Sequence, residues 1–311
     1  MKMEKENFEK FHVYINKEYN CFIHININDS KLFYKEIFDY FFSENLLLKY
    51  IENKSSVHFE PTVIHYTTLY KKLSTFIDKE NWESLSPNTE KDLLSIDPTE
   101  YTIIEENGIK KIRIDKIGKI GEYIFSNILS EYFGFQCIIP KLNLITDYNM
   151  NVFGIDTLFY CPKDKLILLG ESKVCKNVYN GIQLINASLK NYQSQVDSEF
   201  ELILSQRIYK EQFGKFGLDF GEKIEMSLSM SEFIKKADIK KICIPIFIAH
   251  GETTDVKEIF DEFSKTKKIG LYGIETKYIF ISLPLIDKKE FANFITGELI
   301  KRKSFYESKR K

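Results

Sequence analysis

The 311-residue chain lacks the features that mark several whole classes of protein. Its five cysteines, Cys21, Cys137, Cys161, Cys175 and Cys243, are odd in number, widely spaced and never set as CxxC. That argues against a disulfide framework or a cysteine-rich zinc site, and for a reducing, cytoplasmic setting. The five histidines, His12, His24, His58, His65 and His250, include no HExxH pair, so zinc chemistry of that type has no support. Apolar runs such as Ile242 to Ala249 fall far short of the roughly 20 residues of a membrane span. The first residues, Met1-Lys2-Met3-Glu4-Lys5-Glu6, carry no apolar secretion core, so a cytoplasmic protein without membrane attachment is expected. Net charge is also nearly missing, with 44 Lys and Arg against 45 Asp and Glu. Non-specific DNA affinity scales with the phosphates a protein neutralises, so weak binding by the chain alone, and a partner, are expected.

What is present is core-forming material. Apolar residues make up 43% of the chain, with 26 Phe and 18 Tyr, enough for burial to offset ordering entropy. The length suits one large domain or a core with one attached region. Residues 1–110 carry 13 basic and 19 acidic residues, whereas 111–311 carry 31 and 26. The basic excess of the second part is matched by its tail, Lys301, Arg302, Lys303, Lys309, Arg310 and Lys311 against Glu307, which reads equally as a solvated end or a phosphate contact.

Alternation predicts strand material from His12 to Ile27, and helical periodicity follows from Lys31 to Ile51 and from about Thr62 to Phe76. Ser84 to Glu100, with Pro87 and Pro98, reads as a connection. Tyr101 to Ile114, split by Asn107-Gly108, reads as a hairpin. Ile117, Ile120, Ile124, Ile128 and Tyr132 recur at helical spacing up to a stop at Gly134. Strands are expected at Cys137 to Ile145, Val152 to Tyr160 and Lys165 to Val174, then a helix from near Gly181. Later strands, Ile242 to Ala249 and Tyr278 to Leu283, are each followed by a helical segment. This order predicts an α/β fold with a mixed central sheet flanked by helices over 116–311, and an N-terminal α+β accessory region over 1–115.

The chemistry concentrates in Phe153-Gly154-Ile155-Asp156-Thr157-Leu158 and, after a turn, Leu169-Gly170-Glu171-Ser172-Lys173-Val174. Period two puts Glu171 and Lys173 on one strand face with Ile167 and Leu169, and pairing through the short turn would set Asp156 opposite or diagonal to Glu171. Both strands are apolar on both faces, so ionised groups there are costly unless paired or bound to a cation. Two carboxylates converging beside an ammonium suit a hard divalent ion such as magnesium, and a plain salt bridge of Lys173 is the simpler alternative. Glu122, in Gly121-Glu122-Tyr123-Ile124, falls at the margin of a buried helical stripe, where a surface role is equally open.

These residues carry a resemblance. A helix with Glu122, a strand with Gly154-Ile155-Asp156, a strand with Gly170-Glu171-Ser172-Lys173 and a following helix resemble the PD-(D/E)xK nuclease superfamily over about residues 116–195. Within it the chain is similar to the HamA/AbpA family of Hachiman antiphage defence nucleases. Ile155 stands where the superfamily's namesake proline would be. The resemblance implies a restriction-endonuclease-like core, with magnesium, or manganese in its place, held by Asp156 and Glu171 and the carbonyl of Ser172. Lys173 would position or deprotonate the attacking water and Glu122 would assist. It also implies DNA as substrate and a superfamily 2 helicase partner of the HamB or AbpB type. Tyr160, Lys163, Lys165, Lys176, Tyr179, Lys190 and Tyr192 are candidates for a nucleic-acid groove, and Gln183 for reaching the site. Two competing readings are a non-catalytic adaptor that binds DNA or the helicase, and a stand-alone restriction-type endonuclease, for which no basic recognition helix is evident.

Overall fold

The computed structural model describes residues 2–17, 21–26, 32–52, 61–77, 83–86, 101–114, 117–138, 156–205, 222–224, 226–251, 253–285 and 287–310. In chain order its main elements are β1 (Glu4–Phe8), β2 (Phe11–Asn16), β3 (Phe22–Asn26), α1 (Phe33–Phe41), α2 (Glu44–Glu52) and α3 (Val63–Ile77). A small sheet follows, made of β4 (Glu83–Ser84), β5 (Tyr101–Glu106) and β6 (Ile109–Ile114). Then come α4 (Ile117–Glu131), β7 (Gln136–Cys137), β8 (Thr157–Cys161), β9 (Leu166–Cys175), α5 (Val178–Ser188) and α6 (Tyr192–Ser205). The chain closes with α7 (Met230–Lys236), β10 (Lys241–His250), α8 (Val256–Phe263), β11 (Thr276–Pro284) and α9 (Lys288–Lys309).

Among the described residues, eight strands form one sheet in the order β1-β2-β3-β11-β10-β9-β8-β7. The middle ladders β3–β11, β11–β10 and β10–β9 are parallel, and both outer flanks are antiparallel, so the sheet is mixed as expected. The parallel strands are apolar at successive positions because both faces are covered. On β9 and β10, Leu168, Val174, Cys243, Phe247 and Ala249 join a core with α1 to α4 and α9. Their alternates, Ile167, Leu169, Ile242, Ile244, Ile246 and Ile248, join a second core with α5 to α8. The result is three layers, helices on sheet on helices. The N-terminal strands, expected in an accessory region, extend the edge of this same sheet, and α1 to α3 share the first core with α4 and α9.

Three sequence expectations change in detail. The periodic stretch from Lys31 to Ile51 is two helices rather than one: Tyr123 donates a hydrogen bond to the Phe41 carbonyl (2.8 Å) and Tyr70 to that of Phe42 (3.0 Å), satisfying backbone acceptors where the helix breaks. The basic tail is the end of α9, where Arg302 is committed to Glu44 at 3.1 Å. The helix after the acid-bearing strand begins at Val178, capped by the Asn177 side chain, rather than at Gly181. The hairpin is as expected, with Asn107 and Gly108 both at positive φ (54 and 74). Of the strand expected at Cys137 to Ile145, β7 covers only Cys137, and most of that stretch, like most of Ser84 to Glu100 and Phe153 to Ile155, lies outside the described residues.

Candidate active site

Glu171 and Lys173 lie on the face of β9 that carries Ile167 and Leu169, beneath α5 and α6. Asp156 directly precedes β8. Its N–H donates to the Gly170 carbonyl (2.9 Å), the residue that Thr157 also faces at the end of the β8–β9 ladder, and this leaves the Asp156 charge near enough to Glu171 to act on its carboxyl. The strands approach closely because position 170 is glycine: a Cβ there would lie 2.1 Å from Thr157 Oγ1 and 2.8 Å from the Phe125 ring. On its other side, β9 pairs with β10 up to Cys243 opposite Leu168 and again from Ile246 opposite Glu171. Pro245, which has no N–H to donate, falls in the gap between these two stretches of the ladder.

Each carboxylate is held by named donors. Asp156 Oδ2 accepts hydrogen bonds from the Ser172 amide (2.6 Å) and the Ser172 hydroxyl (2.8 Å). Glu171 Oε1 accepts one from Lys173 Nζ at 2.6 Å. Glu171 is 4% exposed. Burial, reinforced by the Asp156 charge, pushes its carboxyl up to about 7 against the pull of Lys173. Burial pulls the Lys173 ammonium down, yet the two carboxylates outweigh it and hold the group above its usual value. Behind the acids, Tyr192 is buried, donates to the Leu169 carbonyl (2.9 Å), and has its phenol pushed well up by burial and by both carboxylates.

Glu122 is placed differently. A Cβ on neighbouring Gly121 would lie 2.4 Å from Val174 Cγ2, so α4 packs tightly on the Leu168 and Val174 face of β9, opposite the face that carries Glu171 and Lys173. The Glu122 carboxylate takes both of its oxygens to Lys119 Nζ, at 2.8 and 3.1 Å. Among the described residues no three His, Cys, Asp or Glu side chains gather closely enough to hold a metal ion. The structure thus brings Asp156, Glu171 and Lys173 near one another through Ser172 and the Glu171–Lys173 ion pair, and Glu122 is bonded to Lys119 on the helix that covers the other face of β9. Of the groove candidates, Tyr160 and Tyr192 are buried, at 7% and 1% exposure. Lys163, Lys165, Lys176, Tyr179, Lys190 and Gln183 are on the surface.

Sequence reasoning gave Ser172 only a backbone role, although its hydroxyl sits in plain view inside the Glu-Ser-Lys triplet and bonds Asp156 at 2.8 Å. A second buried polar cluster was also missed, where β3, β11 and β10 adjoin. Ser282 Oγ lies 3.1 Å from His24 Nδ1 and 2.9 Å from His250 Nε2, and His250 Nδ1 reaches the Gly251 carbonyl at 3.3 Å. A carbonyl only accepts, so His250 donates from Nδ1, its Nε2 accepts from the Ser282 hydroxyl, and that oxygen accepts from His24. Burial lowers both imidazoles to about 4, with the mutual influence of His250 adding to His24, and both are neutral.

This is an α/β protein whose large mixed sheet, layered between helices, presents two acids and an amine at the junction of an antiparallel strand and the parallel centre. The family model described as HamA matches residues 10–299, and the chain belongs to the HamA family, with its role in Hachiman antiphage defence. No solved structure matches the chain. Among the described residues no helix is long and apolar enough to cross a membrane.

Proposed function

We propose that this HamA-family chain is a metal-dependent DNA nuclease with a restriction-endonuclease-like core. It would act as the effector subunit of an antiphage defence complex together with a superfamily 2 helicase of the HamB or AbpB type. The observation that carries this reading is the gathering of a buried Glu171, bonded to Lys173 at 2.6 Å, with Asp156, bonded to the neighbouring Ser172 at 2.6 and 2.8 Å, an arrangement that also pushes the Glu171 carboxyl up. A buried acid beside a half-buried one favours a cation between them, and an oxygen-only donor set matches magnesium, or manganese in its place. Asp156 and Glu171 would hold that ion. Bound there, it would supply Lewis-acid stabilisation of the phosphate oxygens and make a water more acidic. Lys173 supplies fixed positive charge at the same place and, as Glu171 turns to the cation, its ammonium would hold the attacking water or a phosphate oxygen. An assisting role for Glu122 would require its carboxylate to leave Lys119. The test is cleavage of DNA by the purified chain with its helicase partner and magnesium. Glu171→Ala and Lys173→Ala are each expected to slow it at least about a hundredfold, within the range that removal of one transition-state contact produces. Cleavage by both variants at the wild-type rate would remove the mechanism.

A second reading is favoured by one observation, the lack of a three-acid cluster among the described residues. In it the chain is a non-catalytic adaptor that binds DNA or the helicase. Calorimetric titration separates the two: the adaptor reading expects DNA or helicase binding with no uptake of divalent ions.

A further inference from the structure

We propose that Lys190 and the lysine-rich loop between α8 and β11 form an anchor for the DNA backbone, set across α5 from the acid cluster. The proposal rests on the nuclease reading for the identity of its ligand and extends that reading to a surface with no assigned role. The loop sequence Ser264-Lys265-Thr266-Lys267-Lys268-Ile269-Gly270 holds three lysines and no acid, and Lys190, in the 3-10 turn Leu189–Asn191 between α5 and α6, adds a fourth. All four are exposed. Lys265 is paired with Glu262, whereas no ion pair among the described residues engages Lys190, Lys267 or Lys268. In a chain whose charges otherwise nearly cancel, this is a local positive field, and phosphate is the group it fits.

The loop is fastened on three sides. Asn186 on α5 holds its backbone at two points, donating from Nδ2 to the Lys265 carbonyl (3.4 Å) and accepting at Oδ1 from the Lys267 amide (2.7 Å). The Tyr278 hydroxyl on β11 accepts from the Ile269 amide (2.6 Å) and donates to its carbonyl (3.0 Å), and Gln193 on α6 accepts from the Tyr272 amide (3.1 Å). Thr266 turns inward and is buried, so Lys265, Lys267 and Lys268 are displayed from a fixed backbone. The sheet order gives the surface a direction: the loop enters at β11, Asp156 precedes β8, and α5 packs between them over β9 and β10, where a Cβ on Gly181 would lie 2.7 Å from Ile248. Val178–Ser188 contains no charged residue and exposes Tyr179 and Leu184. A helix is about 10–12 Å across with its side chains, so a strand laid over α5 from the lysines reaches the acid cluster within about three phosphates at roughly 3.4 Å each. The acids on neighbouring α8 are engaged in part, Glu258 by Thr253 and Glu262 by Lys265. An acidic protein segment would also meet the lysines, yet an uncharged ridge with an exposed tyrosine beside them favours unpaired bases, which stack on aromatic faces.

The test measures binding of a labelled single-stranded DNA oligonucleotide to the full-length chain by fluorescence anisotropy, from low salt upwards and with a chelator so that nothing is cut. Lys267→Ala combined with Lys268→Ala is expected to weaken binding at least about tenfold and to reduce the slope of log affinity against log salt by about 1.4, or 0.7 for each lost phosphate contact. Lys71→Ala combined with Lys72→Ala removes the same charge from exposed positions on α3, which packs on the other face of the sheet, and is expected to stay within about twofold of wild type because distant charges are screened. Melting temperatures of both double variants should match wild type, since all four lysines are on the surface. Wild-type affinity and slope in the loop variant, equal weakening in the α3 variant, or no binding by the wild-type chain at low salt would each overturn the anchor. The nuclease reading is judged separately: cleavage that depends on Glu171 with binding untouched by the loop lysines removes the anchor alone, and binding lost in the loop variant while Glu171→Ala cuts at the wild-type rate removes the nuclease reading alone.

Discussion

The sheet buries two polar clusters that share a layer and differ in kind. The histidine chain is neutral and closed: each donor meets an acceptor, from His24 through Ser282 to His250 and the Gly251 carbonyl, and none of the three side chains is more than 1% exposed. The acid cluster is charged, with two carboxylates against one ammonium, and the Lys173 side chain is still 25% exposed. Both are buried and hydrogen-bonded, so burial alone does not separate structure from chemistry. What separates them is residual charge. A satisfied neutral network gains nothing from a ligand, whereas like charges held together beside an opening gain from a cation. Activity should therefore follow the acid cluster and fold stability the histidine chain. Ser282→Ala is expected to leave the cleavage rate within about twofold of wild type where Glu171→Ala loses about a hundredfold, the contrast expected when only one of the two residues meets the transition state. A comparable loss in Ser282→Ala would erase the distinction.

The two clusters should also answer pH with opposite signs. Below an ordinary imidazole value of 6.5, the unfolded chain takes up protons that His24 and His250 refuse until about 4. Their contribution to stability is thus intact above about 6.5 and is lost as pH falls from there to about 4, by roughly 3 kcal/mol for each histidine at the acid limit. Glu171 runs the other way. Its folded carboxyl is raised from 4.5 to about 7, so its contribution is present below 4.5 and is lost as pH rises through about 7. Urea unfolding in the presence of a chelator reads both limbs. His250→Gln should flatten the acid limb, and Glu171→Gln should flatten the neutral one, making that variant more stable than wild type at pH 8. An unchanged profile in either variant would show that the named group is not its source.

Most of the fold was legible because it rests on periodicity. Alternating faces on β9 and β10, the helical stripe of α4 and the Asn107-Gly108 turn all announce themselves within a few residues. Asp156, Glu171 and Lys173 were legible for the same reason: period two and one short turn suffice to bring them together. The break between α1 and α2 was not, because Tyr70 and Tyr123, which bond its carbonyls, are distant in sequence. Glu122 illustrates the limit. Its place at the edge of a buried stripe was readable, yet which face of the sheet α4 covers depends on Gly121 meeting Val174, a tertiary contact. The histidine chain depends on contacts between distant elements throughout.

Gly170 offers a way to disturb the acid cluster without touching an ionisable group. A methyl at this position would collide with Thr157 Oγ1 at 2.1 Å and with the Phe125 ring at 2.8 Å. Overpacking of this sort costs about 1–3 kcal/mol, and relief requires the Thr157 side chain and the Phe125 ring to shift. Thr157 adjoins Asp156, so Gly170→Ala is expected to lower both the melting temperature and the cleavage rate. A variant that melts early yet cuts at the wild-type rate would mean that the spacing of the two acids is not critical.

The smallest expected effect is on the neutral cluster. Ser282→Ala removes one hydroxyl that serves two histidines, leaving the His24 Nδ1 donor and the His250 Nε2 acceptor without it in a place that is 0% exposed at Ser282. Buried groups that lose their partner cost about 1–3 kcal/mol, and the alanine methyl occupies nearly the same space, so no large cavity adds to this. The loss should be visible as an earlier urea midpoint with an unchanged slope, since the surface exposed on unfolding is the same. It should also be largest at neutral pH, where both imidazoles are neutral and the chain of donors is complete. At pH 4, half-protonated rings repel each other and no longer accept from the serine, so the difference between variant and wild type should shrink. A midpoint shift that is the same at both pH values would show that Ser282 serves packing alone and that the three residues do not act as one hydrogen-bonded chain.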